Sequence, residues 1–357
     1  MVVQHIAPMS FRGLLLSLAA GTFGGWCAAA LVIPLPWVLG SMAGVAAMRL
    51  AGAGSAQPMV LRRVAQITIG TALGLTFTPD VVRQVASLGH WMILGSAFAI
   101  GLSMFFSGVL QRLANLDGPT AIYSVAVGAS SEMALQAQQA GADGSQVASA
   151  HAVRIVLVVL LASVVAHFSG EGASLAGNVS VPVIAWWQGL LFVVLAPLCG
   201  RLAHRFHVPN GWLLGPLLMA GCFAASGTTG RMFPQALIAA QVLIGWSLGQ
   251  HMTRQFFIQS PRLLASAALV TLGMLGLCVL LAWVVSNFGV VSMLTAFLSI
   301  APGGTAEMAI IAKTFGIGAP VVTAFHFFRV VTMVLLIQWV ARTVLRIGWV
   351  RPLPPRT

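Results

Sequence analysis

The sequence predicts an all-α polytopic membrane protein of two homologous halves. The halves are inverted relative to each other, each with five crossing helices and one broken or re-entrant segment. Three observations carry that expectation. Of 357 residues, 59% are apolar and only 7% are charged, with a mean hydropathy of +0.96, whereas a soluble domain carries about 25% charged residues. The chain matches itself at a constant offset of 175 residues, the distance from Glu132 to Glu307. Its few basic residues are spread over the loops in a pattern that favours inversion. So apolar a composition excludes both an ordinary soluble domain and a disordered chain.

Each half divides into six apolar segments. The first half reads 11–33, 36–53, 59–77, 91–113, 119–140 and 145–167, and the second 183–203, 209–226, 234–252, 263–286, 291–315 and 318–341. Arg12 ahead of the first, glycine-containing run marks an uncleaved first span. The second segments open on Pro34-Leu35-Pro36-Trp37 and Pro209-Asn210-Gly211-Trp212, which read as helix starts with an interfacial Trp anchor. The third carry Gln66 and Gln241 one turn before Gly70-xxx-Gly74 and Gly245-xxx-Gly249, the spacing of close helix packing. The two glutamines either line a pore or bond between helices. The fifth segments are interrupted by Gly128-Ala129-Ser130-Ser131 and Pro302-Gly303-Gly304-Thr305, and Gly and Pro weaken a continuous helix. The sixth carry His151 with Arg154 and His326 with Arg329, three apart and so on one helix face. The repeats span 11–167 and 183–345, joined by a small, polar linker at 168–182.

The basic residues set the topology. With Arg154 and Arg329 left aside as residues inside apolar segments, sixteen Lys and Arg remain. If the fifth segment of each half dips in and returns, thirteen of them share the side of the N-terminus, and only Arg83, Arg231 and Lys313 lie opposite. Five crossings per half then invert the second half relative to the first, as in many secondary transporters. An unwound fifth segment that still crosses is the alternative. The expected setting is a bacterial inner membrane with both termini cytoplasmic.

The chemistry is expected at the breaks. A carboxylate inside a membrane segment is costly and by default marks a functional site, and Glu132 and Glu307 follow the interruptions directly. A half-helix beginning there points amides and the positive end of its dipole at an anion. Gly128, Ser130, Gly303, Gly304 and Thr305 would line that site. Arg154 and Arg329 either neutralise a Glu, hold an anionic substrate, or form an internal structural pair, and His151 and His326 gate, relay protons or merely bond.

Other chemistries find little support. The net charge of +12 is not gathered into a stripe, so nucleic acid is not an expected partner. Cys27, Cys199, Cys222 and Cys278 are widely spaced in apolar runs and read as packing residues, with no metal or cofactor expected. Ser131, His151 and Glu132 lack the spacing of a nucleophile elbow.

At these motifs the chain resembles the AbrB-type family of duplicated membrane proteins. The likeness rests on the P-x-x-W-x-L-G and Q-x-x-I-G-x-x-L-G segments, G-A-S-S-E-M and P-G-G-T-A-E-M, and the two H-x-x-R pairs, and covers nearly the whole chain. A small soluble DNA-binding protein shares the family's name and is a different molecule. The resemblance implies labels of gene-expression regulator and ammonia monooxygenase, and kinship with the cation/proton antiporter and anion transporter superfamily. The first half has Ala-Ser-Ser where the second has Gly-Thr-Ala, and lacks its Pro302, so the two sites need not be equal. The expected function is secondary transport of a small, anionic solute, with lipid and a small molecule or ion as partners and self-association left open. A membrane-embedded regulator acting through a partner is the alternative, and a membrane oxygenase a third, for which clustered His and carboxylate ligands are missing. No enzymatic activity is expected.

Overall fold

The structure, a computed structural model, describes residues 11–169, 183–227 and 230–350. The linker expected at 168–182 lies almost wholly outside the described residues. Among those residues the secondary structure is helical, apart from one isolated bridge between Val183 and Arg231. The first half contributes α1 (Phe11–Ala30), α2 (Pro36–Leu50), α3 (Met59–Gly74), α4 (Pro79–Ser87), α5 (Gly89–Ala114), α6 (Gly118–Val125), α7 (Ser130–Gln139) and α8 (Gly144–Phe168). The second contributes α9 (Trp186–Arg205), α10 (Gly211–Ala225), α11 (Pro234–Gly249), α12 (Arg254–Gln259), α13 (Pro261–Asn287), α14 (Met293–Ile300), α15 (Thr305–Thr314) and α16 (Ala319–Arg346). Five of the eight helix pairs start and stop at residues related by the repeat offset, so the duplication seen in sequence is a duplication of structure.

Six helices, α1, α5, α8, α9, α13 and α16, are long and apolar enough to cross a membrane. The other expected crossings, α2, α3, α10 and α11, have only 15 or 16 residues, about 24 Å at 1.5 Å per residue. They pack mainly against neighbouring helices rather than standing alone in lipid. The short helices α4 and α12 were not among the expected segments. Asp80, Arg83 and Gln84 make α4 polar on one side, and it buries no residue fully.

The chain forms two compact units that cut across the repeats. The first unit comprises α1–α3 and α9–α12, the second α4–α8 and α13–α16. In the first, α3 packs on α10 and α11 on α2. A Cβ at Gly70 or Gly74 would strike the carbonyls of Leu213 or Leu217, and one at Gly245 or Gly249 those of Val38 or Met42. These glycines let two helix backbones touch, as small residues do in membranes. Trp37 and Trp212, expected as interfacial anchors, also make contacts within this unit. Their rings cover Gly25 and Gly200 of the preceding helix, and the Arg63 guanidinium sits 4.8 Å from the Trp212 ring centre.

The second unit holds the broken fifth segments as helical hairpins. Asp117 caps α6 by accepting from Thr120 N at 2.8 Å, and the Thr120 hydroxyl accepts from Asp143 N at 2.9 Å, where Asp143 caps α8. The two ends of the segment therefore meet. In the second hairpin Ser292 caps α14, and Gly318, before α16, lies against Thr295. Both segments turn back on themselves as hairpins. An eight-residue half-helix rises about 12 Å, near the middle of a hydrocarbon core about 30 Å thick.

Candidate functional site at the two helix breaks

Each H-x-x-R pair clamps the broken end of its own hairpin. The Arg154 Nη1 donates to the carbonyls of Val125 and Ala126 at 3.1 and 3.0 Å, the last of α6 and the first of the break. Its Nη2 donates to His151 Nδ1 at 3.1 Å, and His151 Nε2 donates to the Tyr123 carbonyl at 2.9 Å. The second half repeats this. Arg329 donates to Ile300, Ala301 and Gly303 at 3.0, 2.9 and 3.3 Å and to His326 Nδ1 at 2.9 Å, and His326 donates to Leu298 at 2.8 Å. All four side chains are buried.

Hydrogen-bond chemistry fixes the histidine state. A carbonyl only accepts, so Nε2 carries the proton; a guanidinium only donates, so Nδ1 is bare. Both rings are thus the neutral Nε2–H tautomer, and a second proton on Nδ1 would expel the arginine. These bonds match the plain hydrogen-bonding alternative for His151 and His326, which stood beside gating and proton relay. The arginines, expected to neutralise a Glu, hold an anionic substrate or form an internal structural pair, bind carbonyls at a helix C-terminus, where a cation is stabilised by the dipole and the orphan acceptors.

Beyond each break the next half-helix opens without a side-chain cap, at Ala129 for α7 and Gly304 for α15. Gly128 and Gly303 make room for Met133 and Met308, which are fully buried beneath the breaks. Ser130 and Thr305 are the first helical residues, and Glu132 and Glu307 stand in the first turns, each half-buried.

The family model described as transition state regulatory protein AbrB matches residues 37–345. The chain belongs to the AbrB family. It is 26% identical over 320 residues, 87% of this chain and 90% of the relative, to a protein of Escherichia coli (strain K12) named "Putative regulator AbrB". A Bacillus subtilis (strain 168) relative named "Uncharacterized protein YhjN" is 26% identical over 294 residues, 76% of this chain and 75% of its own.

In this AbrB-family chain the two glutamates differ in setting. A Cβ on Gly304 would overlap Glu307 Oε2, so that carboxylate folds back over the start of its own helix. The equivalent of Gly304 is Ala129, whose Cβ fills that space. Glu132 therefore points elsewhere, and among the described residues it has no hydrogen-bond or ion-pair partner. Gly128, Ser130, Glu132, His151 and Arg154 are gathered around one break, and Gly303, Gly304, Thr305, Glu307, His326 and Arg329 around the other. Gln66 and Gln241 belong to the first unit, on α3 and α11. What sequence reading missed were the acceptors of the clamp, which are main-chain carbonyls and leave no mark on residue identity. Among the described residues no three His, Cys, Asp or Glu side chains converge as a metal site.

Proposed function

We propose that this AbrB-family protein is a secondary transporter of a small anionic solute, bound at the two helix breaks, where α7 opens without a side-chain cap and the Glu307 carboxylate lies over the start of α15. The observation that carries the reading is the pair of helix breaks, each with a carboxylate in the first turn after it. Irregular backbone at membrane depth is tolerated where protein buries it or a wet cavity meets it. At each break the helix C-terminus carries roughly half a negative charge and the following N-terminus roughly half a positive one, and they offset. The clamping arginine then offsets an ionised Glu. Protonating the Glu leaves the break net positive and favours an anion, which couples solute entry to a proton. Glu132 is the coupling carboxylate in this reading, since Glu307 is turned onto its own helix start. The same reading sets the chain in the inner membrane with both termini cytoplasmic, supported by the thirteen-to-three split of basic residues.

The test is flux of small carboxylates and inorganic anions into proteoliposomes under an imposed pH gradient. Glu132→Gln is expected to abolish gradient-driven accumulation, and Glu307→Gln to slow flux while leaving it coupled. Undiminished flux in the double variant overturns the proposal. The regulator name of the Escherichia coli relative favours a second reading, a membrane-embedded regulator acting through a partner. A transcript response that persists in the double variant, with no detectable flux in the wild type, would favour that reading instead.

A further inference from the structure

All six acidic residues of the chain, Asp80, Asp117, Glu132, Asp143, Glu171 and Glu307, lie outside the segments that build the first unit. Yet three half-buried arginines stand at one end of that unit. Arg49 is in the last turn of α2, and Arg62 and Arg63 are near the start of α3. The loop between them is held firmly. Ser55 N donates to Ser17 Oγ at 2.9 Å, Gln57 N to Gln250 Oε1 at 2.6 Å, and Gln57 Nε2 to the Leu243 carbonyl at 2.8 Å. These bonds bring the end of α11 and His251 to the same place.

Within this held loop three polar atoms are buried and have no hydrogen-bond partner among the described residues: Arg49 Nε, Ser55 Oγ and Gln57 Oε1. Ser55 is only 7% exposed. Buried polar atoms are normally satisfied, and each one left over asks for a partner. Arg63 faces the Trp212 ring and Arg49 Nη1 donates to the Gly54 carbonyl at 3.3 Å, but among the described residues no carboxylate pairs with Arg49 or Arg62. The duplicated positions in the second half are Ala224, Gly230, Met232 and Leu237, so the cluster is not part of the repeated machinery.

We infer that this end of the first unit binds the headgroup of an anionic phospholipid, with Arg49 and Arg62 on the phosphodiester and Ser55 and Gln57 on the headgroup hydroxyls. Guanidinium forks match phosphate oxygens. Helix ends of a membrane protein sit at headgroup level, where anionic lipids and arginines attract. A hydroxyl-bearing headgroup also supplies the O–H donor that the Gln57 carbonyl oxygen lacks. The site is independent of the transport reading.

The experiment uses the full chain in neutral detergent. Thermal unfolding is followed with short-chain phosphatidylglycerol, phosphatidylcholine or inorganic phosphate, and native mass spectrometry counts retained lipid. Phosphatidylglycerol alone is expected to raise the midpoint, with one molecule retained per chain. Arg49→Gln with Arg62→Gln should weaken its binding about thirtyfold, two arginines at headgroup level. Arg83→Gln, an exposed arginine paired with Asp80 in the second unit, should leave binding unchanged. Ser55→Ala, a milder change, should weaken binding measurably even if the double variant does not fold. Equal stabilisation by phosphatidylcholine or inorganic phosphate, or unchanged phosphatidylglycerol affinity in Ser55→Ala and the double variant, overturns the inference.

Discussion

Arg154 and Arg329 illustrate how little a residue type says about its partner. Each was expected to neutralise a Glu, hold an anionic substrate or form an internal structural pair, and each holds the carbonyls that a broken helix leaves open. An unpaired buried carbonyl costs about 1–3 kcal/mol. Arg154→Ala should therefore destabilise the protein by about 2–4 kcal/mol, read as a lower midpoint of thermal unfolding in detergent. Arg154→Lys should recover only part of that, because an ammonium lacks the planar fork that reaches two carbonyls and the His151 ring. The glutamate asymmetry gives a second prediction at this scale. Gly304→Ala supplies the Cβ that Ala129 already has, displaces the Glu307 carboxylate, and should change flux kinetics. The reverse change, Ala129→Gly, opens the same space beside Glu132 and should reduce coupling. Flux unchanged in both variants would remove the distinction between the two carboxylates.

At the scale of elements, the fifth segments decide the topology. The bond from Asp143 N to the Thr120 hydroxyl joins the two mouths of the first hairpin. Single cysteines at Asp117 and Asp143 should label from the same side of the membrane with an impermeant thiol reagent; labelling from opposite sides would contradict the hairpin. The sequence signalled these breaks clearly, because Gly and Pro are expensive inside a helix. It did not signal α4 or α12, which are too short and polar for a hydropathy reading. The glycine pairs on α3 and α11 were readable as packing faces, although which backbones they touch was not. Gly245→Leu should force α11 away from Val38 and Ser41 of α2, at a cost of about 1–3 kcal/mol for overpacking. A lowered unfolding midpoint relative to Gly276→Leu, a glycine with open space beside it, checks this.

For the whole molecule the informative fact is that repeats and compact units do not coincide. Each unit takes helices from both halves, so α2 finds its neighbour in α11 and α3 in α10. A fragment ending at residue 178 would carry all of the first repeat and only part of each unit. It should fail to accumulate as a stable membrane protein when expressed alone, and co-expression with residues 179–357 should restore it; a fragment stable by itself would mean that the repeat is the folding unit. Charge divides by unit as well. The first unit's segments contain only basic residues, while every carboxylate side chain lies in segments outside it, which separates a unit suited to anionic headgroups from one with titratable groups at helix breaks.

The sequence by itself determined the membrane setting, the duplication, the positions of the two breaks and the family. Each of these follows from bulk hydropathy, from scarce residue types recurring at one offset, or from Gly and Pro acting on their own backbone. The tertiary structure decided which residues share a unit, what the arginines and histidines hold, and how Glu132 differs from Glu307. Those outcomes turn on main-chain carbonyls, which are alike at every residue, and on whether one Cβ is present beside a carboxylate. Neither has a meaning until the chain has been brought together in space.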